Sequence, residues 1–184
     1  MCRQNLLCCI LLICGFFPAG CAVVSGIPAH VPRLESRYDD AGIKTEVAGA
    51  LLALDPSKAN DINVHCFFGN VFLIGEADRE FRREAVDAAE KISGVTRVTT
   101  HWFPSGSAAT HEDAAIEAKL SEVLPASAKD AGGRVDADVW GGHVVLTGMV
   151  RRQSDIDLAV QAAKRVEKVR SVTSYLITDA ASKR

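Results

Sequence analysis

Cysteine, histidine and clustered arginine or lysine are the residues of this 184-residue chain whose spacing could support chemistry. Five of the six cysteines, Cys2, Cys8, Cys9, Cys14 and Cys21, fall in the first 21 residues, and only Cys66 lies in the body. One body thiol forms no intramolecular bridge, so neither a disulfide framework nor a Cys-rich metal domain is expected. Cys66 alternates with Ile62 and Val64, which marks it as a buried thiol. Its neighbour His65 then points to the opposite face of the same strand, and the two cannot chelate one metal well. His30, His101 and His111 have no partner at ligand spacing, and His143 is expected as a polar residue at a hairpin turn. No G-x-S-x-G, P-loop, dinucleotide-binding glycine motif or HExxH occurs. No acidic pair is expected inside an apolar segment, where its pKa would rise. The side chains point to no catalytic centre, no metal and no cofactor.

Cations give the stronger signal. A net charge of −2 and a pI near 6.2 argue against a nucleic-acid binder. Residues 39–103 hold 7 basic and 11 acidic residues, whereas residues 112–178 hold 9 and 10. The basic residues of the second stretch cluster: Arg151 and Arg152 at the start of an expected helix, Lys164, Arg165, Lys168 and Arg170 at its end. Two readings fit Lys164 and Arg165. They compensate a helix dipole at its C-terminus, or they contact lipid headgroups, at about 1 kcal/mol per cation close to an anionic surface. Trp140, beside Gly141-Gly142 at an expected hairpin tip, is a candidate interfacial anchor or packs on the edge of a sheet.

Before these come residues 1–21, with Arg3 and then an apolar run from Leu6 to Phe17. Twelve residues are too few for a membrane span of about 20 and suit the apolar region of a signal peptide. The run closes on Pro18-Ala19-Gly20-Cys21, which resembles the lipobox of bacterial lipoproteins, with Pro18 where an aliphatic residue is usual. Cys21 is thus the expected acylation site. The alternative is a plain secretory signal cleaved near Ala19. Ala22 in place of Asp leans toward the outer membrane, with the protein facing the periplasm. Residues 22–38 contain Pro28 and Pro32 without periodicity and read as a tether averaging roughly 20–25 Å.

The rest is one unit written twice. Gly69-Asn70-Val71-Phe72-Leu73-Ile74-Gly75 recurs 73 residues later as Gly142-His143-Val144-Val145-Leu146-Thr147-Gly148. At that offset Asp40 matches Asp113, Ile43 matches Ile116, Val47 matches Leu120 and Leu51 matches Leu124. Residues 39–103 and 112–178 form the two units, residues 104–111 link them across at most about 28 Å, and residues 179–184 are a tail. Ile43, Val47, Ala50, Leu51 and Leu54 lie on one helical face, with Asp39 or Asp40 as the cap. Ile62 to Cys66 alternates as a strand, Gly69-Asn70 makes a tight turn, and Val71 to Ile74 returns. Phe81, Ala85, Ala88 and Ile92 line a second helix, Gly94 stops it, and Val95 to Phe103 is a third strand. The fold class is α+β: two tandem αββαβ units, each a three-stranded mixed sheet with two helices on one face. Units of about 65 residues are near the lower limit for a free-standing core, so packing between them should matter for stability.

The G-x-V-x-L-x-G hairpin, the Ala-Ala helix after it and the closing Val-x-x-Val strand resemble the BON domain family. Tandem units behind a lipoprotein-type signal are similar to the dual-BON outer-membrane lipoproteins. The departures are Lys168 in the place of Gly94 and Gly141-Gly142 in the place of Phe68-Gly69. The resemblance implies a non-enzymatic envelope protein that binds anionic phospholipid and supports outer-membrane integrity. An alternative is an adaptor docking on outer-membrane assembly or secretion machinery through open sheet faces or edges, or an oligomeric scaffold. Oligomeric state is left open.

Overall fold

The computed structural model describes residues 39–104, 111–124 and 134–178. Asp39 caps α1 (Asp40–Leu54), its carboxylate accepting from the Gly42 N–H at 3.0 Å. A further turn, α2 (Pro56–Ala59), is capped by Asp55 and places Pro56 where a helix needs no N–H. β1 (Ile62–Phe67) and β2 (Asn70–Gly75) form an antiparallel hairpin. Asp78 caps α3 (Arg79–Ala89), which leads to β3 (Arg97–Trp102), parallel to β2. The second unit repeats this order: α4 (His111–Val123), β4 (Arg134–Trp140), β5 (His143–Val150), α5 (Gln153–Lys164) and β6 (Ser171–Thr178). The sheets run β1-β2-β3 and β4-β5-β6, each mixed. The expected αββαβ order is present in both, with α2 as an extra turn.

One face of each sheet carries the helices. Ile43, Val47 and Leu51 of α1 and Phe81, Ala85 and Ala89 of α3 pack on Ile62, Val64, Cys66, Val71 and Leu73. The second core is built alike, from Ile116, Leu120, Ala159 and Ala163 on Val139, Val144, Leu146 and Val150. Alanine at the contact lets α3 and α5 lie close to their sheets. Two details correct the expected stripes: Ala89 rather than Ala88 is wholly buried, and Leu54, the last residue of α1, is 45% exposed.

The repeated glycine motif has a backbone explanation. Its first glycine closes a two-residue turn with both residues at positive φ, 54° and 73° at Phe68-Gly69 and 55° and 79° at Gly141-Gly142. Such turns match the twist of a hairpin. The turn is therefore Phe68-Gly69, not Gly69-Asn70; Asn70 already belongs to β2. At the second glycine the strands approach closely, and a Cβ on Gly75 or Gly148 would collide with the carbonyl oxygen of Asp61 or Arg134.

Asp40 reaches from the start of α1 to the turn and accepts from the Phe68 and Gly69 N–H groups, each at 2.8 Å. Asp113 does the same for Gly141 and Gly142 at 2.9 and 2.8 Å. The matched aspartates tie each first helix to its hairpin, while Asp39 does the capping.

The second faces of the two sheets cover each other. Phe67, Phe72, Ile74 and Phe103 pack with Trp140 and Val145, flanked by Phe68 and Tyr175. Helices, sheet, sheet and helices succeed one another as layers. The structure corrects two expectations. Trp140 is only 8% exposed, its ring stacked on Phe103 with centroids 5.1 Å apart, because strand alternation turns it toward the other sheet; it is no interfacial anchor. The sheet faces offered to an adaptor partner are occupied by each other, while the strand edges are not covered by that packing.

Candidate functional site

Two groups of residues stand out once the sheets are paired. Between the sheets, β1 presents Asn63 and His65, and β4 presents Arg134, Asp136 and Asp138. His65 Nδ1 lies 3.3 Å from Asp136 Oδ2, and Nε2 lies 2.9 Å from Asp138 Oδ2. Asn63 Nδ2 donates to Asp138 Oδ1 at 2.7 Å. Arg134 grips Asp136 with two donors, Nε to Oδ1 at 3.0 Å and Nη2 to Oδ2 at 2.9 Å. His65 Nε2 and Asp138 Oδ2 are both shut off from solvent and lie 2.9 Å apart as an ion pair, without the alignment of a hydrogen bond.

Burial alone would pull the His65 pKa down. Hydrogen bonds to Asp136 and Asp138, and their charges, outweigh it and push the value up to about 9. Burial likewise favours the neutral form of Asp136, but its bonds to His65 and Arg134 prevail and lower its pKa. Spacing alone predicts no acidic pair in an apolar segment, whereas the structure sets Asp136 and Asp138 together against His65. The signal was the alternation Arg134-Val135-Asp136-Ala137-Asp138-Val139, which puts both carboxylates on the face away from the helices.

Cys66, on the opposite face of β1, is buried as expected. Burial first, then the Asp40 carboxylate that accepts from Sγ at 3.2 Å, raises its thiol pKa to about 12. A thiol this hard to ionise is a poor nucleophile and a poor metal ligand. His143 starts β5, its Nδ1 2.7 Å from Ser171 Oγ. His101 lies 3.1 Å from the Tyr175 hydroxyl, and burial, then His143, lowers its pKa.

The second group is the cations of the second unit. Lys164 and Arg165 are exposed where α5 ends, Lys168 and Arg170 in the turn that follows. Lys168, at φ 68°, donates to Glu112 Oε1 at 2.8 Å, and Arg170 N–H donates to Gly142 O at 2.8 Å. Arg165 and Lys168, with Lys119 of α4, edge a groove of about 370 Å³ whose floor includes Ile116, Ala162 and Val166. Arg165 and Lys168 thus share the groove between α4 and α5, with Glu112 and Glu167 beside them, while Lys164 is the last residue of α5 and Arg170 lies by the Gly141-Gly142 turn. Arg151 and Arg152 stand at the far end of α5, about 18 Å away along a 12-residue helix. That is more than two Debye lengths at physiological salt, so they act separately. Cys21 lies outside the described residues.

No helix among the described residues is long and apolar enough to cross a membrane. The pattern of the BON domain matches residues 39–101 and again residues 112–180. The chain belongs to the BON-domain family. Osmotically-inducible protein Y of Escherichia coli (strain K12) is 31% identical over 167 residues, covering 83% of this chain and 79% of that protein. Two solved structures of CdsD, a structural protein of the type III secretion system of Chlamydia trachomatis, each cover 73% of this chain at 14% identity. They are covered over 96% and 90% of their own length, with TM-scores of 0.28 and 0.27. Within the BON family, this chain's two domains meet sheet to sheet, and four exposed cations, Lys164, Arg165, Lys168 and Arg170, follow closely in the second.

Proposed function

We propose that this BON-domain protein is a non-catalytic component of the cell envelope, anchored at Cys21 in the outer membrane facing the periplasm, that binds anionic phospholipid and supports membrane integrity. The observation that carries the reading is the close succession of exposed Lys164, Arg165, Lys168 and Arg170 in the second domain, on a chain that is net negative elsewhere. An anionic bilayer repels the whole molecule, so attraction has to be local. Each cation reaching the surface contributes about 1 kcal/mol. Two or three give weak, salt-sensitive binding, which an acyl anchor makes effective by holding the domain near the headgroups. The poorly nucleophilic Cys66 thiol and the doubly paired His65 support the non-catalytic reading.

The test is vesicle flotation with the Cys21→Ser chain, which removes the anchor. Phosphatidylglycerol vesicles should carry the protein upward at low salt, phosphatidylcholine vesicles should not, and Lys164→Glu with Arg165→Glu should abolish flotation. Because the domains share an interface, the charge reversal belongs in the intact pair rather than in either domain alone. Binding indifferent to salt and to the reversal would favour an adaptor docking on assembly proteins through its strand edges.

A further inference from the structure

We propose that His65 is a proton-controlled latch between the two BON domains: as an imidazolium it ties β1 to both β4 carboxylates, and on losing its proton it loosens the sheet-to-sheet interface. The geometry requires the charge. Asp136 and Asp138 project from the same face of β4 toward the ring, and a ring with both nitrogens protonated can pair with each. Neutral imidazole has a single N–H. One carboxylate oxygen would then face a ring lone pair across about 3 Å, acceptor against acceptor.

The two carboxylates differ in their other partners. Asp136 keeps the two-pronged grip of Arg134, whereas Asp138 accepts from Asn63 through Oδ1 and faces the ring only as an ion pair at 2.9 Å. With one proton the ring can donate to only one of the two carboxylates, and the contact that borders open space is the one from Nδ1 to Asp136. That contact lines a cleft of about 520 Å³ between the domains, bordered by Phe67, Phe68, Arg134 and Met149. Water entering there reaches the aromatic layer of Phe67, Phe72 and Trp140.

Charges around the ring come from every packed element. β4 supplies Asp136, Asp138 and Arg134; α1 supplies Asp39, Asp40 and Lys44 on the cleft wall. Glu117 of α4 adds to the negative field at Asp138. β2 and β5 contribute the uncharged Phe72 and Met149. The balance is negative, and it favours the imidazolium.

His65 has its pKa raised from 6.5 to about 9, so its contribution is complete below pH 6.5 and is lost as pH rises through about 9. That gap corresponds to a change of at most about 300-fold in the closed-to-open equilibrium. The latch is independent of whether the second domain touches lipid.

Trp140 reports on the interface, and Trp102→Phe leaves it as the single tryptophan of the chain. In that full-length background, Trp140 emission should shift to the red in one step centred near pH 9, with far-ultraviolet circular dichroism unchanged. His65→Gln, which donates but does not titrate, should remove the step. The His65 ring proton, followed by NMR in the native sequence, should titrate well above 6.5 and needs no variant to fold. A flat emission profile, a step surviving in His65→Gln, loss of secondary structure in the same step, or a His65 pKa near 6.5 would each overturn the proposal.

Discussion

The indole of Trp140 lies flat on the ring of Phe103, planes 16° apart, although one closes β4 and the other follows β3 in a different domain. Stacked aromatics in a dry layer stabilise beyond the area they bury. The pair therefore couples two domains whose cores are otherwise separate. Trp140→Ala should cost about 3–5 kcal/mol, and Trp140→Phe much less. Chemical denaturation followed by circular dichroism measures both. Since the indole is enclosed, adding phosphatidylglycerol vesicles to the folded protein should leave Trp140 emission unmoved even where flotation succeeds.

Asp113 is 2% exposed and holds the Gly141 and Gly142 N–H groups. Charge-assisted bonds are the stronger kind, and a buried donor left without an acceptor carries its full desolvation penalty. Asp113→Ala should destabilise the protein by about 2–3 kcal/mol, measured by urea unfolding. Asp113→Asn, which keeps one carbonyl oxygen, should fall between. Hydrogen exchange at Gly141 and Gly142 should accelerate in both variants before global unfolding does.

These two cases show what was legible in the sequence. The 73-residue offset revealed both domains, because each must bury the same helix and strand faces, and burial fixes residue type at fixed spacing. It also matched Asp40 with Asp113. Their task was not legible: a bond from Asp40 to the Phe68 N–H crosses 28 residues, and adjacent Asp39 is as good a cap by composition. The interface was hidden more deeply. Phe67, Phe72 and Phe103 alternate on the face that a lone unit leaves open, and nothing local says that another sheet will cover it. For the same reason Trp140 was legible as an anchor or an edge residue, and nothing marked Asp136 and Asp138 out from the other acidic residues. Only the pairing of the domains gives His65 two carboxylates.

Lys168 sits at φ 68° where the first domain has Gly94 at φ 88°. Any residue with a Cβ is strained there, and glycine is not. The Lys168 pair with Glu112 joins side chains 55% and 65% exposed, and such pairs contribute little. Lys168→Gly should therefore raise the melting temperature by about 2–4 °C, whereas Lys168→Ala, which keeps the strain and loses the pair, should not. Calorimetry on the two variants decides it. The same Lys168→Gly change removes one exposed cation, so flotation should weaken while stability rises. A parallel fall in both would mean that Lys168 acts through the fold.

Thr147 occupies the β5 position that matches Ile74 in the first domain, and both are buried, at 0% and 1% exposure. The isoleucine packs in the aromatic layer. The threonine brings a hydroxyl, and its Oγ has no hydrogen-bond partner among the described residues. Thr147 lies across from Asp136 and Tyr175, and a hydroxyl buried without a partner costs about 1–3 kcal/mol on the scale of protein substitutions. Valine has nearly the same shape and removes only that polarity. Thr147→Val should therefore stabilise the protein by about 1–2 kcal/mol, read as a higher urea midpoint at unchanged slope. Thr147→Ser keeps the hydroxyl, loses a methyl, and should destabilise by a similar amount. If valine were neutral or harmful, Thr147 would have to be donating to a water held between the sheets, and ordered solvent at that position in a crystal structure would show it.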